Sequence, residues 1–427
     1  MEYLRGLLGI AVLLGVAALF SVSKKSVDWR LVLIGVTLQL LFGILITKVP
    51  LVADMFAAVS RVFVRFLGFS EDGATFLFGD LATDSFGFIF AFKVLPTIIF
   101  FSTVSAGLYY LGVLQKVVFG IAWVMSRTMR LSGAESLSAA GNIFLGQTEA
   151  PLLVRPFIPA MTRSELMCLM TGGMATIAGG VLAGYVAFLG GDSPEEQSRF
   201  ATYLLGASIM NAPAAIVMAK IVIPETHREA VNDTLVINAE NTDVNLIDAM
   251  SRGASEGLKL ALNVGAMLLA FIAVIAALNY LLLEVAGELA GINPWIIEST
   301  QGQFKGLSLE YILGQIFRVF AWVIGVDWQE TLPVGSLLGQ KTVINEFVAY
   351  LGLAEMKEAN MLSDRAVTIA TYALCGFSNF SSIAIQVGGI GSIAPNQQGN
   401  LSKLGMRALL AATLACLMTA TIAGALF

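Results

Sequence analysis

Histidine occurs once in this chain, at His227, and cysteine three times, at Cys168, Cys375 and Cys416. A lone histidine leaves no nucleophile–base pair and no cluster of metal ligands, so an enzyme is not expected. The cysteines are far apart and each sits in an apolar segment, which excludes a disulfide framework and a closely spaced metal site. His227 falls in a polar stretch and reads as a solvated side chain. Charge is scarce too: Asp, Glu, Lys and Arg make up 13% of the chain, against about 25% in a soluble domain. The net charge of −5 contains no basic block, so nucleic acid is not an expected partner. A water-facing surface cannot be built from so little charge.

What is present is hydrophobic, at 57% of 427 residues with a mean hydropathy of +0.80. A spanning helix takes about 20 mainly apolar residues. Such segments run from Leu4 to Val22, Leu31 to Leu51, Val94 to Leu114, Leu166 to Leu189, Thr202 to Ile223, Leu258 to Val285 and Leu404 to Phe427. Another, Arg365 to Ile390, is interrupted by Gly376, Ser378, Asn379, Ser381 and Ser382. The expected fold class is an all-α polytopic membrane protein with about eight transmembrane helices. Leu7 to Phe20 lacks a clear small-residue cleavage site and is taken as the first membrane helix.

Three further apolar segments carry charge and are expected along the membrane interface. They are Val52 to Gly68 with Arg61 and Arg65, Gln115 to Leu131 with Lys116, Arg127 and Arg130, and Leu307 to Trp328 with Glu310, Arg318 and Asp327. The stretch from Glu225 to Arg252 holds Asn232, Asp233, Asn238, Glu240, Asn241, Asp243 and Asn245 and is expected to be a water-exposed loop. Lys24, Lys25 and Arg30 place the first loop in the cytoplasm. Counting crossings onward puts both termini outside, in a cell inner (plasma) membrane.

One phrase occurs twice, as Leu145-Gly146-Gln147 and as Leu338-Gly339-Gln340, each with a glutamate following. We expect two opposed re-entrant hairpins, Ser132 to Pro159 turning at Gly146, and Leu332 to Leu353. Each precedes a helix with a weak middle, Gly172 to Gly180 and Gly376 to Ser382. Two hairpin-plus-broken-helix units form an inverted repeat of the kind that secondary transporters use. The organisation is then 1–131 as N-terminal spans and interfacial helices, 132–223 as the first repeat, 224–331 as polar loop, long helix and interfacial segment, 332–390 as the second repeat, and 391–427 as the last span.

Non-helical backbone at membrane depth is tolerated only where protein or a water-filled cavity satisfies it. Unwound turns there expose carbonyls to a cation, and half-helix N-termini expose N–H donors. Burying Glu149 and Glu346 demands partners. Gln147, Thr148, Glu149, Glu346, Asn379 and Ser382 donate and accept hydrogen bonds without an arginine clamp, which points to a neutral, polar substrate rich in hydroxyl and amide groups. Structural readings stand beside these. Gln147 and Asn142 could cap hairpin helices, Glu149 could be a hydrogen-bond anchor, and Asn379 and Ser382 could satisfy freed backbone. Phe377 could be packing, Asp80 and Asp84 an interfacial turn, and Lys341, with no substrate role, could reach solvent or cap backbone. Hairpins also build channels; opposed hairpins that each carry a carboxylate favour alternating access.

The run Gly339-Gln340-Lys341-Thr342-Val343-Ile344-Asn345-Glu346-Phe347-Val348-Ala349-Tyr350 matches a G-x-K-x-x-x-N-E-F-V-A-Y signature at every fixed position. With Gly141-Asn142 through Gly146-Gln147-Thr148-Glu149-Ala150-Pro151, and Cys375-Gly376-Phe377-Ser378-Asn379-Phe380, the chain resembles the concentrative nucleoside transporters along nearly its whole length. The resemblance implies a nucleoside substrate, with pyrimidine nucleosides such as uridine favoured. It places the base on Gln147, Thr148 and Glu149 with Val181 nearby, and the ribose on Glu346, Asn379 and Ser382 with Phe377 against it. It also implies a coupling sodium at Asn142, Leu145, Thr176 and Ile177, with proton coupling as the alternative and no organic cofactor. A homotrimer in membrane lipid is implied as well, moving its transport unit like an elevator against a scaffold that includes the helix starting near Leu258.

Overall fold

The computed structural model describes residues 2–86, 89–191, 193–228, 231, 235 and 243–427. Asn232, Asp233, Asn238, Glu240 and Asn241 of the polar stretch lie outside the described residues. Among the described residues there is no strand, and seven helices are long and apolar enough to cross a membrane. The chain is a multi-pass membrane protein.

Helix starts follow their caps. The Asp28 carboxylate accepts from the backbone N–H groups of Arg30 and Leu31, so the second helix begins at Trp29 and runs to Lys48. The segment expected to stop at Gly68 continues instead as one helix, Pro50–Phe78, ending at Gly79 with φ of 58°. Proline suits its first turn, where no N–H partner is available, and glycine suits the left-handed exit. The polar stretch likewise becomes helical before Arg252. Asn245 caps a helix spanning Leu246–Tyr280, and Asp248 returns a bond to the N–H of Val244. Of the polar residues that suggested a loop, Asn245 is the N-cap of the long helix and Asp243 precedes it. Gly253 and Gly257 of this helix admit the backbone of Leu95–Tyr110, while most of its other apolar residues are exposed.

The core is built from two similar units. The first has a limb Gly133–Gly141, a turn, a short helix Ala150–Leu153, the half-helices Arg163–Ala175 and Gly179–Gly190, and then the helix Pro194–Val222. The second has Thr331–Val343, a turn, Glu346–Glu358, the half-helices Asp364–Leu374 and Phe380–Ile393, and then Gln398–Leu426. One interval relates Thr162 to Ser363, both N-caps, and also Gly172 to Ala373 near the ends of the first half-helices. The two closing helices have 29 residues each and pack against one another between the broken helices.

That interval does not relate the two Leu-Gly-Gln phrases. The first lies in the turn, as expected, but Leu338-Gly339-Gln340 lies inside the helix Thr331–Val343. The second turn falls at Ile344-Asn345, so Glu346 stands at the tip itself. The glycines serve close packing. A Cβ on Gly339 would come within 2.5 Å of the Leu313 Cβ, and one on Gly335 within 2.8 Å of the Arg318 nitrogen. The helix Leu309–Val323, expected along the interface, lies against this limb through those contacts.

Candidate functional site

The two breaks meet. The N–H of Phe377 donates to the carbonyl of Thr176 at 3.3 Å, joining the second break to the first. Gly376 has φ of 139°, and a Cβ there would stand 2.6 Å from the Ala175 oxygen, so only glycine allows the crossing. The Asn211 amide, on Pro194–Val222, donates to the carbonyls of Ala175 at 2.7 Å and Cys375 at 2.9 Å. Each carbonyl ends a half-helix and has lost its helical partner.

Around this crossing the polar side chains form one buried chain. The Gln386 amide donates to Gln147 Oε1 at 3.2 Å and to the Met170 carbonyl at 3.2 Å. The Gln147 amide donates to the Ser382 hydroxyl at 3.1 Å. Asn379 caps Phe380–Ile393 by accepting from the Ser382 N–H at 2.9 Å, and its amide donates to Glu346 Oε2 at 2.8 Å. The Tyr185 hydroxyl donates to Glu346 Oε1 at 3.0 Å. Glu346 is only 3% exposed, so both carboxylate oxygens are held by neutral donors away from water. Tyr185 is fixed in turn by stacking on Tyr350 at 4.3 Å and an edge contact with Phe347 at 5.0 Å.

Of the expected substrate residues, Gln147, Glu346, Asn379 and Ser382 therefore come together directly. Phe377 is buried at the break, and Val181 is buried in the first turn after the other break. Thr148 and Glu149 differ from expectation: both are exposed. The Glu149 carboxylate folds back over Gly146, where it occupies the space a Cβ would need.

The expected ion residues lie where the first tip meets the first break. Phe144 offers its carbonyl to the N–H of Gly179 at 3.1 Å, and Ser208 donates to the carbonyl of Ile143 at 3.0 Å. Asn142 is buried with neither side-chain heteroatom hydrogen-bonded. Its Nδ2 is 3.1 Å from where a Cβ on Gly172 would be. The Thr176 hydroxyl donates to the Gly172 carbonyl at 2.9 Å, leaving its oxygen lone pairs open. Ile177 is buried and Leu145 is half-buried. An orphaned amide at the tip, with a hydroxyl and unwound carbonyls at the break, fits a hard monovalent cation, which takes oxygen ligands and needs no titrating group.

Two residues of the buried polar chain escaped sequence reasoning. Tyr185 lies four residues after Val181, and Gln386 four after Ser382, so helical spacing would have found both on the site-facing side. Lys341 is 3% exposed and its ammonium donates to the Ala373 carbonyl at 2.9 Å, the backbone cap that the sequence allowed. Lys220 was also missed. It is buried between Glu135, with which it forms an ion pair, and the Ser164 hydroxyl at 3.0 Å.

Comparison with known proteins identifies three family models along the chain. The description "Na+ dependent nucleoside transporter C-terminus" matches residues 203–424, "Na+ dependent nucleoside transporter N-terminus" residues 8–81, and "Nucleoside recognition" residues 91–192. An uncharacterized transporter of Haemophilus influenzae is 42% identical over 99% of this chain and 98% of its own length. Mouse solute carrier family 28 member 3 is 43% identical over 98% of this chain, which spans 58% of that protein. The solved structure of CNTnw in an inward-facing substrate-bound state superposes with a TM-score of 0.88 at 40% identity, covering 100% of this chain and 98% of that one.

Proposed function

The chain belongs to the Na+-dependent nucleoside transporters, and from that premise we propose that it imports pyrimidine nucleosides such as uridine, driven by sodium, through an elevator-type movement. The transport unit comprises the two hairpins, acting as opposed re-entrant segments, and their broken helices. The observation that carries this reading is the buried chain Gln386–Gln147–Ser382–Asn379–Glu346–Tyr185, which draws on both repeats.

Each member of that chain suits one part of a nucleoside. The Glu346 carboxylate accepts from ribose hydroxyls, and Asn379 and Ser382 donate and accept beside it. Gln147 offers an amide to the edge of a base, Thr148 and Glu149 close over it from the exposed turn, and Val181 and Phe377 supply apolar faces. Sodium, as co-substrate, is held by Asn142, Leu145, Thr176 and Ile177. Binding there orders the same turn that presents Gln147, which links ion to nucleoside. One charge crossing about 100 mV supplies roughly 2.3 kcal/mol. A tenfold ion gradient adds about 1.4 kcal/mol, and together these sustain a nucleoside gradient of several hundredfold. The exposed apolar helix Leu246–Tyr280 suits a scaffold in a homotrimer within membrane lipid. In this reading the protein sits in the inner (plasma) membrane with both termini outside.

Radiolabelled uridine uptake into proteoliposomes tests the reading. An inward sodium gradient should drive accumulation that saturates and that unlabelled pyrimidine nucleosides compete away. Accumulation driven by a proton gradient without sodium would overturn the coupling. Currents that do not saturate with nucleoside would overturn the carrier.

A further inference from the structure

The buried polar chain has a direction, and groups that can only accept set it. At one end the Glu346 carboxylate takes an N–H from the Asn379 amide. At the other end the Met170 carbonyl takes an N–H from Gln386 at 3.2 Å. The same Gln386 nitrogen gives its second hydrogen to Gln147 Oε1, again at 3.2 Å. Met170 is 0% exposed and Gln386 1%, so water cannot relieve a reversed arrangement. With Gln386 turned round, its oxygen would face the Met170 carbonyl. With Gln147 turned round, two amide nitrogens would face each other.

Ser382, the other partner of Gln147, imposes nothing of the kind. Its hydroxyl accepts from the Gln147 amide at 3.1 Å and could equally donate to a carbonyl in that place. Among the described residues, Gln386 alone therefore decides which end of the Gln147 carboxamide is left for a ligand. Ser382, Gln386 and Gly389 recur on one face of Phe380–Ile393, and that face lies along the first hairpin tip. Ser382 and Gln386 bond Gln147, and a Cβ on Gly389 would stand 3.8 Å from the Thr148 methyl.

We propose that Gln386 is a positioning residue for base selection. It holds the Gln147 carboxamide with its N–H groups towards the ligand, so the site reads an acceptor on the base. Uracil offers a carbonyl at position 4, where cytosine carries an amino group. An amide N–H set against that amino group leaves two donors unmatched, and the site favours uracil.

The proposal rests on the reading of Gln147 as a contact of the base. Its test is competition against radiolabelled uridine uptake in proteoliposomes, with unlabelled uridine, cytidine and 2′-deoxyuridine. In the parent chain uridine should compete about tenfold better than cytidine. Gln386→Met keeps the bulk of the side chain but fixes Gln147 neither way, and the preference should fall to within about threefold. Gln386→Glu presents only oxygens, so Gln147 should turn its N–H groups to the carboxylate and its carbonyl to the base, and cytidine should compete better. The ratio of 2′-deoxyuridine to uridine reports the sugar contacts and should keep its parent value in both variants. A packing role would weaken all three competitors by one factor, and that result would overturn the proposal. Folded variants that keep the parent preference would overturn it too. The parent comparison stands without any variant, since equal competition by uridine and cytidine, or a preference for cytidine, overturns the proposal. A parent chain that takes up no uridine would instead overturn the transport reading beneath it.

Discussion

Asn211 and Cys416 grip the same two oxygens. The Asn211 amide reaches the Ala175 and Cys375 carbonyls at 2.7 and 2.9 Å, and Cys416 Sγ lies 3.5 and 3.1 Å from them. The two residues come from the two 29-residue closing helices, so each repeat contributes one jaw to a clasp over both breaks.

Asn211→Leu should leave both carbonyls with only a thiol, a weak donor. Hydrogen bonds within membrane bundles average about 0.6 kcal/mol and reach about 1.7, so the variant should lose about 1–3 kcal/mol. Cys416→Ala should cost less, and the double variant more than the sum, because the last donor is removed. Thermal unfolding of the purified proteins measures this. Unchanged stability in Asn211→Leu would remove the clasp from consideration.

Glu346→Gln should weaken nucleoside binding by about 10–100-fold, the range for a hydrogen bond to a charged group. The new amide can accept from Tyr185 or from Asn379 but not from both, and turning Asn379 round would undo its cap on Ser382. Tyr185→Phe should weaken binding less, since Asn379 still holds the carboxylate. Titration calorimetry with uridine reads both, and parent-like affinity in Glu346→Gln would contradict the site.

Gly173→Ala should impair uptake, while Gly388→Ala should not. A Cβ at Gly173 would stand 2.6 Å from the Gln386 amide and 3.1 Å from the Gln147 Cβ, forcing apart the pair at the head of the buried chain. Nothing lies within 4 Å of a Cβ at Gly388. Initial uptake rates at equal surface expression compare the two. Equal rates would mean that the Gln147–Gln386 pair has no part in binding.

Lys220→Met should strand the Glu135 carboxylate in a buried site. Breaking such a pair costs about 3–5 kcal/mol. Adding Glu135→Gln should recover much of that loss, because the stranded charge is gone. Unfolding midpoints of the single and double variants decide the matter: a double variant no better than Lys220→Met would show that the pair is not coupled.

Much of this architecture was legible in the sequence, because bilayer physics limits the choices. Apolar runs located the spans, and the polar breaks at Thr176 and Ser378 stood out against them. The signature through Asn345-Glu346-Phe347 singled out Glu346, although the second tip was expected at Leu338-Gly339-Gln340 and falls at Ile344-Asn345. What misled was glycine, which makes a turn at Gly146 but a close helix contact at Gly339. The two are alike in sequence, and only the presence of Leu313 against Gly339 tells them apart. Polar residues were ambiguous in the same way, since Asn245 and Asp248 start a helix as readily as they fill a loop. The partners of Asn211 and Lys341 are carbonyls, which no side-chain pattern announces.

The crossing of the two breaks has a consequence for leakage. Asn211 bridges both half-helix ends, and Phe377 binds Thr176 directly, so the positions proposed for the sugar and for the ion share one frame. Slippage, with one cargo carried and the other left behind, would require those buried bonds to part. The joint that permits two interruptions at membrane depth therefore also works against futile cycling.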